Sequence, residues 1–262
     1  MVNLMCRMLI AVGNVDANSL IDAMLGMASD QNTRHELNTK GAGTFQHPNG
    51  WGIAYLNEKK EWFIHKSIKP MYNDPLLDSF RSIKTKMLVL HVRRKTTGAT
   101  MLENTHPFHA VVPGLGDFIF CHNGTVYDTI PYDPAFKTQI KGATDSEQLF
   151  YSLLSDLRSS TDTKLSSDLI RKNLAQYKNY TGTNIIITTK DTSFIALKER
   201  NKYPHYYQMS MGTGGGQVIV SSENVALPGI QWQLLAHEDI VEIDTATLVT
   251  IIHTPKGNTS AI

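Results

Sequence analysis

Four short stretches carry side chains whose types and positions could do chemistry, and the first of them is Cys6. A cysteine this close to the amino terminus, followed by the apolar run Met8-Leu9-Ile10-Ala11-Val12, has two readings. It is either an ordinary thiol at the start of a buried strand or a nucleophile that becomes the first residue of the mature chain. In the second case its own α-amine is the base, because such an amine titrates near ~8 and is partly neutral at physiological pH. No histidine is then needed.

The second stretch is His91 to Gly98, where Arg93 follows an apolar strand and is placed to fork a substrate carboxylate. Its plain alternative is a surface ion pair. The third is His122-Asn123-Gly124. Asn123 offers a side-chain NH2 and Gly124 an unobstructed N–H, two donors that could hold a tetrahedral oxyanion; the alternative is an Asn-Gly turn. The fourth is Asp145, at the head of a helix, where its carboxylate could bind an ammonium group or simply complement the helix dipole. Histidines 91, 106, 109 and 122 raise the question of a metal. A proline interrupts His106-Pro107-Phe108-His109, and there is no His-Glu-x-x-His or Cys-x-x-Cys spacing, so neither a metal nor a cofactor is expected.

The elements that must position these groups follow from periodicity. Strands are expected at 7–12, 49–56, 61–66, 86–92, 108–112 and 117–121, the second and third forming a hairpin through 57–60. Helices are expected from Ala17 to Ala28, capped by Asp16 and striped with Leu20, Ile21, Met24, Leu25 and Met27, and from Asp74 to Ile83 with Pro75 in the first turn. Thr144-Asp145-Ser146-Glu147 reads as a capping box for a helix reaching Leu157, and another helix spans 165–177. Beyond Thr183 the pattern is nearly all strand: 184–189, 193–198, 205–210, 217–222, 231–235, 239–243 and 247–253. The polar segment 29–48 is longer than most connections, as functional or mobile loops often are. Thr213-Gly214-Gly215-Gly216 is a turn, since no helix follows it. Many antiparallel strands with about four helices, and no strict β-α-β alternation, predict an α+β fold. The best match is a four-layer αββα sandwich of two mainly antiparallel sheets flanked by helices, in one domain over 1–262.

The chain has 262 residues, 41% of them apolar and 19% charged, with a formal net charge of +1, so no broad field points to nucleic acid or an anionic membrane. Two cysteines, Cys6 and Cys121, make no disulfide framework and suit reduced thiols in a cytoplasm. No apolar run approaches ~20 residues, and Arg7 with the large Leu4 and Met5 argues against a signal peptide or lipoprotein site.

Taken together, Met5-Cys6-Arg7, Asn49-Gly50-Trp51-Gly52, His91-Val92-Arg93 with Thr96 and Gly98, Asn104-Thr105-His106-Pro107-Phe108, His122-Asn123-Gly124 and Thr144-Asp145-Ser146-Glu147 resemble a stand-alone class II glutamine amidotransferase domain of the N-terminal-nucleophile hydrolase fold. The resemblance implies that Cys6 attacks the side-chain amide of glutamine to form a γ-glutamyl thioester. It implies that Asn123 and Gly124 form the oxyanion hole, that Arg93 with Thr96 holds the α-carboxylate and Asp145 the α-ammonium, and that Trp51 and His106 belong to the substrate pocket. Arg94 stands where many relatives carry an aromatic residue. Five residues precede Cys6, so its amine is free only if translation begins at Met5 or residues 1–5 are a cleaved propeptide; otherwise the module is silent. Expected ligands are glutamine or a γ-glutamyl compound. With no synthase domain attached, the expected setting is either a separate ammonia-acceptor subunit or a free-standing amide hydrolase.

Overall fold

A computed structural model of the chain describes residues 5–31, 44–199, 204–255 and 259–261. Two seven-stranded antiparallel sheets lie face to face. The first contains β1 (Arg7–Gly13), β2 (Trp51–Leu56), β3 (Trp62–Ser67), β4 (Met87–Val92), β9 (Ser210–Gly214), β10 (Gln217–Ser221) and β11 (Gln231–Leu234), ordered β11-β9-β10-β1-β4-β2-β3. The second contains β5 (Phe108–Val112), β6 (Gly116–Val126), β7 (Tyr180–Thr188), β8 (Thr192–Ala196), β12 (Ile240–Asp244), β13 (Thr250–His253) and β14 (Thr259–Ala261), ordered β14-β13-β12-β8-β7-β6-β5. Helix α1 (Ala17–Ala28) covers the outer face of the first sheet, and α2 (Asp145–Ser159) and α3 (Ser167–Ala175) cover that of the second. The expected four layers are present.

Side-chain alternation along each strand assigns the layers. In β1, Leu9 and Ala11 pack under α1 with Leu20, Ile21, Met24 and Met27. Met8, Ile10 and Val12 face the other sheet and meet Ile119, Cys121 and Ile186. In β6, Phe118 and Phe120 point instead to Leu149, Phe150 and Leu153 of α2. Strands buried on both faces read as continuous apolar runs, which is why β1 and β4 carry no polar alternation. Both cysteines are free thiols, and no described helix is long and apolar enough to cross a membrane.

Local chemistry sets the helix starts. Asp16 accepts from the Ser19 N–H and Thr144 from the Glu147 N–H, each satisfying a donor that a first turn leaves unpaired. Glu147 does not close a full capping box: its carboxylate turns to the Lys141 and Gly142 N–H groups at 3.0 and 2.7 Å. That ties down the segment leading into α2.

Several expectations change. The segment from Asp74 is a 3-10 helix over Pro75–Phe80, held by two inward residues, Leu77 and Phe80, with no longer apolar stripe to extend it. The strand expected at 205–210 is a short helix, α4 (Pro204–Tyr207), followed by β9; Tyr206 and Tyr207 are both buried, in a T-shaped contact that the β-propensity of tyrosine did not reveal. β6 continues through His122-Asn123-Gly124 to Val126, so this stretch is strand and not a turn. Most of the 29–48 connection, residues 32–43, lies outside the described residues.

Candidate active site

One end of the inter-sheet layer is polar. There β1 begins, β4 ends, β6 ends and α2 starts, and a cleft opens that is lined by Cys6, Arg93, Thr96, His106, Gly124 and Asp145, together with Met5, Arg94, Lys95, Thr97, Asn104, His122, Thr144 and Ser146. Six of the eight residues singled out from the sequence therefore share one cleft.

Cys6 has the same parity as Met8 and Ile10, so it heads the inter-sheet row of β1. Its Sγ lies 3.7 Å from the Arg94 carbonyl. Burial pushes the thiol pKa up, while the Arg93 and Arg7 cations pull it back down. The neighbouring Arg7 is almost fully buried: its Nε donates to Glu223 Oε1 at 2.6 Å, Nη1 reaches the Cys6 carbonyl at 3.3 Å, and its guanidinium lies over the Tyr206 ring. Cys6 thus sits on a clamped stretch of backbone. Met5 is clamped as well, 2% exposed, with its N–H donating to Tyr206 Oη at 2.6 Å and its carbonyl 2.9 Å from His47 Nε2.

Arg93 leaves β4 on the cleft side and donates Nη1 to Ala99 O and Nη2 to Thr97 O. Among the described residues two of its five donors are used. Thr96 Oγ1 is 2.9 Å from Thr125 Oγ1, joining the loop after β4 to β6. Asp145 Oδ2 accepts from the Val126 N–H at 2.8 Å, and Thr97 donates to Oδ1. These bonds fix the Asp145 carboxylate at the head of α2, in the wall of the same cleft as Arg93.

Asn123 has the parity of Cys121 and therefore faces the inter-sheet layer, as Cys6 does from the opposite sheet. It is buried, with Oδ1 unpaired, although it does not itself line the open cleft. Gly124 is required by close packing: at φ +153° an added Cβ would fall 1.8 Å from Gly182 O. His122 points the other way and contacts Ser146 Oγ at 2.9 Å beneath the start of α2.

Trp51 stands apart. Fully buried among the α1-side core residues, it donates Nε1 to Asp74 at 3.0 Å. Its neighbour Gly52 faces the site side, where a Cβ would lie 2.1 Å from His106 O. The glycine of that motif lets the backbone carrying His106 close down on the sheet. His106 in turn stacks on His91 with ring centroids 4.2 Å apart. None of the four ring nitrogens of this buried pair makes a well-formed hydrogen bond to a described residue, although the His122 backbone lies close enough to His91 to favour its protonated form. Burial holds both imidazoles neutral, His91 down at about 3. Among the described residues no three His, Cys, Asp or Glu side chains group as a metal set.

A thiol, a guanidinium and a carboxylate thus share one cleft of a four-layer αββα sandwich. Residues 22–192 match the family of glutamine amidotransferases, class-II. The chain belongs to that family. The match begins after Cys6, so the amidotransferase assignment rests on the scaffold and on the other site motifs. A curated relative from Escherichia coli K12, named "Putative glutamine amidotransferase YafJ", is 34% identical over 125 residues, which are 45% of this chain and 46% of the relative. The chain spans about half or less of the length of the curated relatives it matches. A solved glutamine aminotransferase class-II domain protein from Silicibacter pomeroyi superposes with TM-score 0.59 at 16% identity, covering 98% of both chains. The glutamine phosphoribosylpyrophosphate amidotransferase of B. subtilis superposes with TM-score 0.60 at 17% identity, over 98% of this chain and 49% of that one. At such identities the two structures speak for the amidotransferase fold alone.

The residues around Cys6 that hold its backbone were less legible in the sequence. Tyr206 was hidden in a segment read as strand and His47 carries no local motif, whereas Glu223 stands in Ser221-Ser222-Glu223, a stretch that also resembles the stand-alone members. Only their tertiary partners reveal what they hold.

Proposed function

We propose that the chain hydrolyses the side-chain amide of glutamine or of a γ-glutamyl amide once the α-amine of Cys6 is free. The observation that carries this is the shared cleft of Cys6, Arg93, Gly124 and Asp145. Glutamine is a zwitterion with an amide at the far end, and the cleft offers a cation, an anion and a thiol. Arg93 and Thr96 take the α-carboxylate and Asp145 the α-ammonium, which presents the amide carbon to Cys6 Sγ. The thiol proton passes to the α-amine as sulfur attacks. Asn123 Nδ2 and the Gly124 N–H hold the resulting oxyanion. Collapse breaks the C–N bond, the amine returns the proton to the departing nitrogen, and a γ-glutamyl thioester remains. Water adds to the thioester, releasing glutamate and restoring the thiol.

The test is glutamate release from glutamine and γ-glutamyl amides by protein beginning at Cys6, beside the same protein with Cys6→Ala. Activity in the first and none in the second is expected; equal rates overturn the proposal.

A second reading is a silent glutamine-binding module, favoured by the seating of Met5 on Tyr206 and His47 while it is joined to the Cys6 nitrogen. Intact mass of the protein from its native host separates the two. A chain beginning at Cys6 supports the enzyme, and a chain retaining Met5 supports the module.

A further inference from the structure

We infer that the end of the sandwich opposite Cys6 holds a second binding site, for a monocarboxylic acid with an apolar body. The site shares no residue with the Cys6 cleft and stands apart from the amide-hydrolase reading.

Room comes first. Where β1 ends at Gly13, a groove of about 950 Å³ opens across the ends of both sheets, large enough for a small-molecule ligand. Sheet one contributes the end of β2 at Leu56 and the start of β4 at Met87, and sheet two the turns at Lys190 and Thr245. Hydrogen bonds fix these walls. The Asn14 N–H donates to Gly216 O at 2.9 Å and its side-chain amide to Gly215 O at 3.3 Å. Thr245 joins the two turns of sheet two, its hydroxyl donating to Lys190 O at 2.6 Å and its N–H to Asp191 O at 3.0 Å. The floor is apolar. Leu56, Met87 and Leu248 belong to the inter-sheet core, and Val15 and Ile83 pack against the core beneath α1.

Charge comes second. Arg81 is taken up by Asp22 and Asp78, at 2.7 and 2.9 Å. Asp16 accepts from the N–H and hydroxyl of Ser19, and Lys84 lies near enough to favour its ionised form. Left on the rim are the exposed Lys60, Lys86 and Lys190, with no ion-pair partner within 4 Å among the described residues, and the exposed Glu58 and Asp191. Three ammoniums against two carboxylates leave one positive charge over, which sets the ligand at one negative charge. Lys86 is the lysine whose head is held in place: its Nζ donates to Asn14 Oδ1 at 3.1 Å, a neutral partner that orients the ammonium and leaves its charge uncompensated. A carboxylate head docks there and the body lies on the apolar floor. Burial of the body supplies the affinity, and the ammonium selects the acid over an uncharged alcohol of the same length.

Calorimetric titration of the full chain with decanoate, decanol and acetate tests this. Decanoate is expected to bind about threefold or more tighter than decanol, and acetate about a hundredfold or more weaker than decanoate. Lys86→Glu should weaken decanoate about threefold or more without moving decanol, and Lys86→Arg should keep the parent affinity. Lys95→Glu, which reverses a cation of the Cys6 cleft, should leave decanoate binding unchanged. If Lys86→Glu lowers the melting temperature, Lys190→Glu on the opposite wall is read in its place, with the same expectation. No saturable decanoate binding, an affinity no better than that of decanol, or one unmoved by the lysine reversal overturns the inference. Loss of binding in Lys95→Glu overturns it as well, by placing the acid in the Cys6 cleft. None of these outcomes touches glutamine hydrolysis, which is read separately as glutamate release.

Discussion

Cys6, Asn123 and Arg93 were each ambiguous as residues, since a thiol near a terminus, an Asn-Gly pair and an arginine after a strand are all common. Strand parity removes part of that ambiguity: Cys6 follows the inter-sheet row of Met8 and Ile10, and Asn123 follows that of Cys121, so both face the same layer from opposite sheets. In the proposed reaction Asn123 supplies one of two oxyanion donors. Asn123→Ala should lower kcat by about 10²–10³ with a smaller change in KM, measured as glutamate release, while the melting temperature stays near that of the parent. A kcat within about twofold of the parent would remove Asn123 from the oxyanion hole.

The element that most needs support is the start of β1, because it carries Cys6 at the polar end of a central strand, where the ladder stops. The Arg7–Glu223 ion pair supplies that support, tying β1 to the segment just after β10 with side chains 2% and 10% exposed. Breaking a buried pair from one side leaves the other charge unpaired, so Glu223→Ala should destabilise by about 3–5 kcal/mol in urea unfolding. A loss below about 1 kcal/mol would mean that water replaces the carboxylate without strain. The elements around this clamp were only partly legible in the sequence. α1 and β1 were, because cap, stripe and apolar run agree. α4 was not, because Tyr206 and Tyr207 favour strands in isolation, and their burial was decided by contacts with Met5, Arg7 and Phe45.

Across the whole molecule the polar end of the inter-sheet layer makes stability depend on pH. Burial holds His47, His91, His106 and His122 below the ordinary histidine range. In the unfolded chain they titrate normally, near ~6.5. Between that value and the folded one the unfolded state binds more protons, so stability is full above about pH 6.5 and declines as the pH falls. For His91 the window extends down to about 3. For His91 this gives a slope of about 1.4 kcal/mol per pH unit, or about 2 kcal/mol between pH 7 and 5. Unfolding free energies from urea titrations at those two pH values should therefore separate widely in the parent and by about 2 kcal/mol less in His91→Asn. An identical separation in both would show that His91 does not carry its share.

The sequence by itself determined which chemistry was on offer and the layer architecture that holds it. Cysteine, arginine, asparagine and aspartate in those motifs are side chains able to attack, bind a carboxylate, donate to an oxyanion and bind an ammonium. Period-two and period-3.6 apolar patterns follow directly from which faces must leave water. Tertiary structure decided what no local pattern encodes. It placed Trp51 in the core against Asp74, and gave the site its neighbouring glycine, which lets His106 approach. It carried β6 through Asn123-Gly124 by pairing it with β7, where the same dipeptide alone would favour a turn. And it set Tyr206 on the Met5 N–H with Phe45 and Arg94 packed in turn behind it, from segments more than a hundred residues apart at their extremes. Long-range packing alone brings such groups together, because local sequence constrains only the few residues within reach of one turn or one strand pair.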